Sequence, residues 1–211
     1  MGDHFQWLVD HFVPASYQEE AKQRDMGIHA LLRENAARLE VGESGLLVLD
    51  WWNGNRSVLM DADLSGLLVG MTLKTRAEDI YRALIEATAF GSRMIIETFE
   101  SHQLPVEELY AFGGITEKDQ LLLEIYADVT GRPIHTSFSP HTVAFGAAML
   151  AVVAAGRAQG GYGSIPEASQ SMISLDGKTV TPSHLEDRSV IKNSIVNTAY
   201  STTVLDGAAM T

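Results

Sequence analysis

Between Thr75 and Phe99 apolar residues keep helical spacing for over twenty residues: Ile80, Leu84, Ala87, Met94, Ile95 and Phe99 form one stripe. A helix that long must be covered along its stripe, so the chain is expected to build a layered domain around it. Its start reads as a capping box, Thr75-Arg76-Ala77-Glu78, in which the hydroxyl accepts an early backbone N–H and the glutamate reaches back. Gly91 is the weak position. It costs about 1 kcal/mol relative to alanine, which predicts a close neighbour or a ligand there.

The flanking segments alternate between strand and helix signals. Phe5, Leu8, Val9 and Phe12 predict a short helix stopped by Pro14, and Ile28, Leu31, Leu32 and Leu39 repeat the pattern. After the break at Gly42 to Gly45, Leu46 to Leu49 is a continuous apolar run of the kind found in a strand buried on both faces. Glu108 to Phe112 predicts a strand entering Gly113-Gly114, and Thr116 is the expected cap of a helix carrying Leu121, Leu122, Ile125 and Val129 up to Gly131. Pro133 to Phe138 predicts another strand. Ser139-Pro140 then opens a helix of small residues, Ala144 to Ala155, expected to lie close on a sheet and to end at Gly156. This is an α/β pattern without an internal repeat. Beyond residue 170 the chain turns Ser/Thr-rich, and 171–211 is expected to be a poorly specified tail.

Composition narrows the function. With 45% apolar and 20% charged residues, the 211-residue chain has enough apolar material for a core and does not have a disordered profile. Lys and Arg total 15 against 27 Asp and Glu, a net charge of -12, which disfavours a nucleic-acid partner. There is no cysteine, so thiolate zinc sites and cysteine nucleophiles are excluded. Apolar runs such as Ala147 to Ala155 fall short of the roughly 18 to 20 residues of a membrane span. The N-terminus shows no signal pattern, and a cytoplasmic protein is expected.

Several local patterns carry little chemistry. Asp176-Gly177-Lys178-Thr179 lacks the earlier glycine of a phosphate loop, where Met172 stands instead, and reads as a polar hairpin turn. Gly160, Gly161 and Gly163 follow a helix and make no dinucleotide fingerprint. Gly42-Glu43-Ser44-Gly45 is one residue short of a nucleophile elbow. The seven histidines have no metal-binding spacing. Asn55-Arg56-Ser57 is a glycosylation sequon only by letter.

Two patterns are stronger. Gly113-Gly114, between a strand and a helix, is either a turn that needs positive φ or a place where backbone approaches a phosphate, ribose or base. Asp50, Trp51, Trp52, Asn53 and Arg56 end a buried strand, and they read either as a polyol site or as an aromatic plug with a surface ion pair.

Leu49 to Ser57, then Leu64-Ser65-Gly66 with Gly70, then Tyr81 to Gly91 together resemble the FGGY carbohydrate kinases. The likeness continues through Phe112-Gly113-Gly114, Ala127 to Pro133 and Phe145 to Ala148, in unbroken order over about residues 3 to 170. The resemblance implies an actin-like, ribonuclease-H-like fold of two α/β lobes around a cleft. This chain matches the greater part of the second lobe, with a mixed sheet flanked by helices over residues 1–170.

The first lobe, with its D-x-G-T phosphate loop and catalytic aspartate, has no counterpart here, so no catalytic residue is expected. On the family pattern Gly113 and Gly114 lie against the nucleotide, and Lys118 and Asp119 near its base and ribose. Relatives usually carry asparagine or serine at Asp119, and a carboxylate there adds negative charge beside an anionic ligand. The complete kinase would use ATP and Mg2+ to phosphorylate a ketopentose, L-ribulose in arabinose use, and the lobe alone is expected to be inactive. The alternative is a stand-alone, non-catalytic nucleotide-binding or partner-binding module, with a homo-oligomer formed through the face the first lobe would cover.

Overall fold

The computed structural model describes residues 2–113, 119–136, 141–172 and 177–183. Three helices open the chain: α1 (Gly2–Phe12), α2 (Ala15–Gln23) and α3 (Ile28–Ala36). The apolar faces of α1 and α3, Phe5, Leu8, Val9, Leu31, Leu32 and Ala36, are buried. Pro14 ends the first helix as predicted, but it also serves as the N-cap position of α2, which has only Ala21 buried. With so little stripe, α2 leaves almost no apolar period for a sequence to show.

Strand β1 (Leu47–Leu49) pairs antiparallel with β2 (Leu67–Val69), Leu47 opposite Val69 and Leu49 opposite Leu67. The expectation of burial on both faces is corrected: Val48 and Leu49 are buried, but Leu47 is only partly covered, because this sheet has two strands. The turn is held at Gly70, whose φ is +96° and where an added Cβ would stand 2.5 Å from Gly45 O. Only glycine fits there.

Helix α4 (Ala77–Ser101) is the central element. It packs against α1, α3, β1 and the later helix α5 (Gln120–Thr130). Ile80, Leu84 and Ala87 of the predicted stripe are buried, but the helix is covered nearly all round from Ala77 to Phe90, and Met94, Ile95 and Phe99 at the far end of the stripe are not buried. The cap is one residue off. Arg76 N–H donates to Asp79 Oδ2 at 2.7 Å, while Thr75 Oγ1 accepts from Thr72 N–H and Glu78 accepts from the Tyr17 hydroxyl at 2.6 Å. Glu78 is thus spent on tying α2 to α4, so the next carboxylate along takes the capping role.

The second sheet runs in the order β3 (Leu109–Ala111), β4 (Ile134–Thr136), β5 (Thr179–Val180). β3 and β4 are parallel, β4 and β5 antiparallel, which makes a mixed sheet. Val180 belongs to the main core, so part of the segment expected to be unspecified closes this sheet. Ser183 N–H adds a bond of 2.6 Å to Asp128 Oδ1. Lys178-Thr179 therefore pair with a strand far back in the chain, not with a local hairpin partner. Gly114, Thr116, Lys118, Phe138, Ser139-Pro140 and Asp176 lie outside the described residues.

The helix of small residues, α6 (Thr142–Ala155), forms as predicted and ends at Gly156. Its packing differs from expectation. None of its residues is buried; it touches a short 3-10 turn (Arg157–Gln159) and α7 (Ile165–Met172) and is not among the elements packed on the sheet. Val143 and Leu150 are 76% and 64% exposed.

Candidate functional site

The loop after β1 is built around Asn55. Its N–H donates to Asp61 O at 2.7 Å, its own carbonyl accepts from Asp61 N–H at 2.9 Å, and its Oδ1 accepts from the N–H groups of Val58 and Leu59. The sequon asparagine is buried and holds the loop. Trp51 plugs the core, and Trp52 stands edge-on to Trp7 and His4, with ring centroids 5.4 and 5.6 Å apart. The aromatic-plug expectation holds for these rings. Asp50 and Arg56 form no ion pair with each other.

Asp50 and Arg56 instead line a cleft of about 240 Å³ against the second half of α4. Thr88, Gly91, Ser92 and Ile95 form its α4 wall, and Tyr126 of α5 and His4 of α1 complete it. Gly91, the weak position of the helix, is part of that wall. Both ring nitrogens of His4 are buried without a hydrogen-bond partner, and burial lowers its pKa, so the ring is neutral at pH 7. Burial raises the Asp50 carboxyl, and it pushes the Tyr126 phenol up to about 12 against the pull of Thr88 and Ser92. This wall offers hydrogen bonds but no strongly activated base. His4, Ser92 and Tyr126 belong to no motif quoted above, and Thr88 lies within the Tyr81 to Gly91 stretch without being singled out; the recurrence of small residues at 88, 91 and 92 on one helical face was the signal available.

Gly113 and Asp119 lie elsewhere, at the end of β3 and the start of α5, and neither lines that cleft. Gly113 has φ of +109°, and an added Cβ would meet nothing within 4 Å. The positive φ is an angle that glycine adopts and L side chains rarely do. Asp119, only 4% exposed, is the N-cap of α5 in place of the predicted Thr116: Oδ1 accepts from Leu122 N–H at 3.0 Å. Its Oδ2 lies 3.8 Å from Arg33 Nε, so α3 supplies a counter-charge. Burial raises the Asp119 carboxyl, opposed by the Leu122 N–H and by Arg33. Burial likewise pushes the neighbouring Tyr81 up to about 12.

β3 thus ends in a glycine at positive φ, and α5 opens at a side-chain-capped turn, within a mixed sheet flanked by helices. Residues 1–155 match the FGGY family of carbohydrate kinases, C-terminal domain, and the chain belongs to that family. Curated relatives carry the name ribulokinase: that of Bacillus licheniformis is 54% identical over 182 residues, 86% of this chain and 33% of the relative. That of Halalkalibacterium halodurans is 53% identical over the same length, 32% of the relative. A ligand-bound xylulose kinase from Lactobacillus acidophilus has a TM-score of 0.72 at 22% identity, covering 99% of this chain and 38% of that one. The actin-like fold expected from the resemblance is the fold of these neighbours. The chain spans about a third of the length of the curated relatives it matches.

Proposed function

We propose that the chain is the nucleotide-side lobe of an ATP-dependent, cytoplasmic sugar kinase that phosphorylates a ketopentose, L-ribulose, and that it acts only when completed by the rest of the kinase. The observation that carries this reading is the 54% identity to a ribulokinase of which the chain covers 33%. Phosphoryl transfer needs the nucleotide, the acceptor hydroxyl and a base held in line, and a lobe with one side of the pocket supplies only part of that alignment.

The chain's own contribution is to bind and orient. Gly113, at a positive φ that favours glycine, lets backbone approach the nucleotide, and on the family pattern Gly114 and Lys118 contact the same ligand. The N-terminus of α5 adds a partial positive charge, and Asp119 keeps that helix start fixed by capping it. Arg33 places a counter-charge 3.8 Å from Asp119 Oδ2, which reduces the negative charge that an anion nearby would meet. Mg2+ would accompany the phosphates. Among the described residues no group of three or more His, Asp or Glu side chains comes together to hold it, so no metal ligand is assigned to this chain.

The test is an ATP-dependent ribulose phosphorylation assay on the purified chain, alone and with the preceding part of Bacillus licheniformis ribulokinase supplied as a second polypeptide. Turnover is expected only with both. Turnover by the chain alone, free of host kinase, overturns the reading.

A further inference from the structure

Strand β2 is covered on one side only. Leu68 packs against the core, while Leu67 and Val69 are 46% and 37% exposed, and beyond Gly70 the alternation goes on with Met71 at 51% and Leu73 at 108%. In a strand packed on one face the outward positions are ordinarily polar. Here they form an apolar row, and no charged residue or proline interrupts the chain from Leu64 to Leu73. Exposed strands are usually blunted by such residues, and among the described residues β2 pairs with β1 alone. The two ends of the row carry opposite charge. Asp61 and Asp63 precede it, Lys74 and Arg76 follow it, and all are exposed. Among the described residues Asp61, Asp63 and Lys74 enter no ion pair, and Arg76 lies 3.8 Å from Glu78.

We propose that this row is the interface of a homodimer, in which a twofold axis at Val69 sets β2 of one copy antiparallel to β2 of the other. A twofold interface uses the same surface twice, so it must be complementary to itself. The order of charges meets that condition: running antiparallel, the acidic end of one row comes to the basic end of the other. Each copy carries -12, which disfavours association where like charges face each other and favours the place where the signs alternate. The register follows from the alternation, because residues opposite each other must share a face and a slip of one would turn the row away. Centred on Val69, Leu67 stands opposite the partner's Met71, and Asp63 stands opposite the partner's Thr75, between its Lys74 and Arg76. Centred on Leu68, Asp63 would instead meet the partner's Leu73. The first pairing sets apolar against apolar and charge beside opposite charge.

The experiment is sedimentation equilibrium on the intact chain and on variants of exposed residues. A dimer is expected at about 10 μM chain. Val69→Asp should weaken it at least about tenfold, since two carboxylates would meet on the axis. Asp63→Lys and Lys74→Asp should each weaken it as well, the first by facing lysine with lysine and the second by facing aspartate with aspartate. An equal mixture of these two single variants should form a heterodimer close to the parent in affinity, because both contacts then join opposite charges again. Should Val69→Asp fail to fold, the mixture decides.

A strict monomer overturns the proposal, as does a dimer that Val69→Asp leaves unchanged. A dimer lost in Val69→Asp but not recovered in the mixture overturns the antiparallel arrangement. With the preceding part of Bacillus licheniformis ribulokinase supplied as a second polypeptide, the two copies should stay together. If that part separates them, the row belongs to it and the proposed occupant is wrong. None of these outcomes depends on phosphoryl transfer, so the dimer can fail while the kinase reading stands.

Discussion

Asp119 shows how one buried carboxylate is made tolerable. It spends one oxygen on the Leu122 N–H and keeps the other near Arg33. Asp119→Ala should lower stability by about 1 kcal/mol through loss of the cap, and Asp119→Asn, which can still cap, by clearly less, measured by urea unfolding. Gly113→Ala is a poor probe of ligand binding, because a φ of +109° penalises any side chain whether or not a ligand is present.

Arg82 is a stronger case. Only 7% exposed, it donates through Nε to Glu86 Oε1 at 2.9 Å and through Nη1 to Ala36 O at 3.1 Å, joining α4 to the end of α3. Arg82→Met should cost about 3 kcal/mol at neutral pH, because it strands Glu86 as an unpaired, mostly buried charge. Burial raises the Glu86 carboxyl above its ordinary 4.5, and Arg82 opposes that rise. The folded state therefore binds this proton more readily than the unfolded chain. Stability from that proton is present below 4.5 and is lost as pH rises through the higher folded value. In the variant the rise is larger, so the gap to the parent should narrow as pH falls towards 4.5, in urea titrations at several pH values.

At the scale of elements, periodicity carried α1, α3, α4 and α5, because each has a stripe that the core absorbs. Where the element depends on distant partners, the sequence is silent. β2 is three residues with one partly covered side chain, and β5 is two residues whose strand character exists only against Ile134 and His135. The helix ends marked by Pro14, Gly131 and Gly156 were legible, yet the N-cap of α4 lies one residue past the expected Thr75 and that of α5 three past the expected Thr116. In both cases a neighbouring carboxylate took the role, and a choice among adjacent capping residues is made by tertiary demands such as the Tyr17 bond to Glu78. Of the site, the glycine turn could be read directly. The cleft could not, since its walls come from α1, the loop after β1, α4 and α5.

Helix α6 is the element whose sequence promised most burial and whose structure has none. Its amides should exchange with solvent well ahead of those of Ile80 to Phe90 in α4, in one hydrogen-exchange experiment on the intact chain. Equal protection along both helices would mean that α6 has a cover not described here.

For the whole molecule, the core runs from Phe5 in α1 to Val180 in β5. Ending the chain at Met172 should therefore lower the melting temperature by several degrees, by removing Val180 and the Ser183 bond to Asp128. Calorimetry of the two lengths checks this, and an unchanged midpoint would show that β5 contributes nothing to the fold.

The position of β5 also bears on synthesis. The elements that surround α4 on its first half, α1, α3 and β1, have all left the ribosome by the time Ser101 has, and that part of the core can close while translation continues. The mixed sheet cannot. β4 must wait for Thr179 and Val180, so for much of its birth the nascent chain displays β4 with one flank bare, and that interval is when a chaperone would have most to hold.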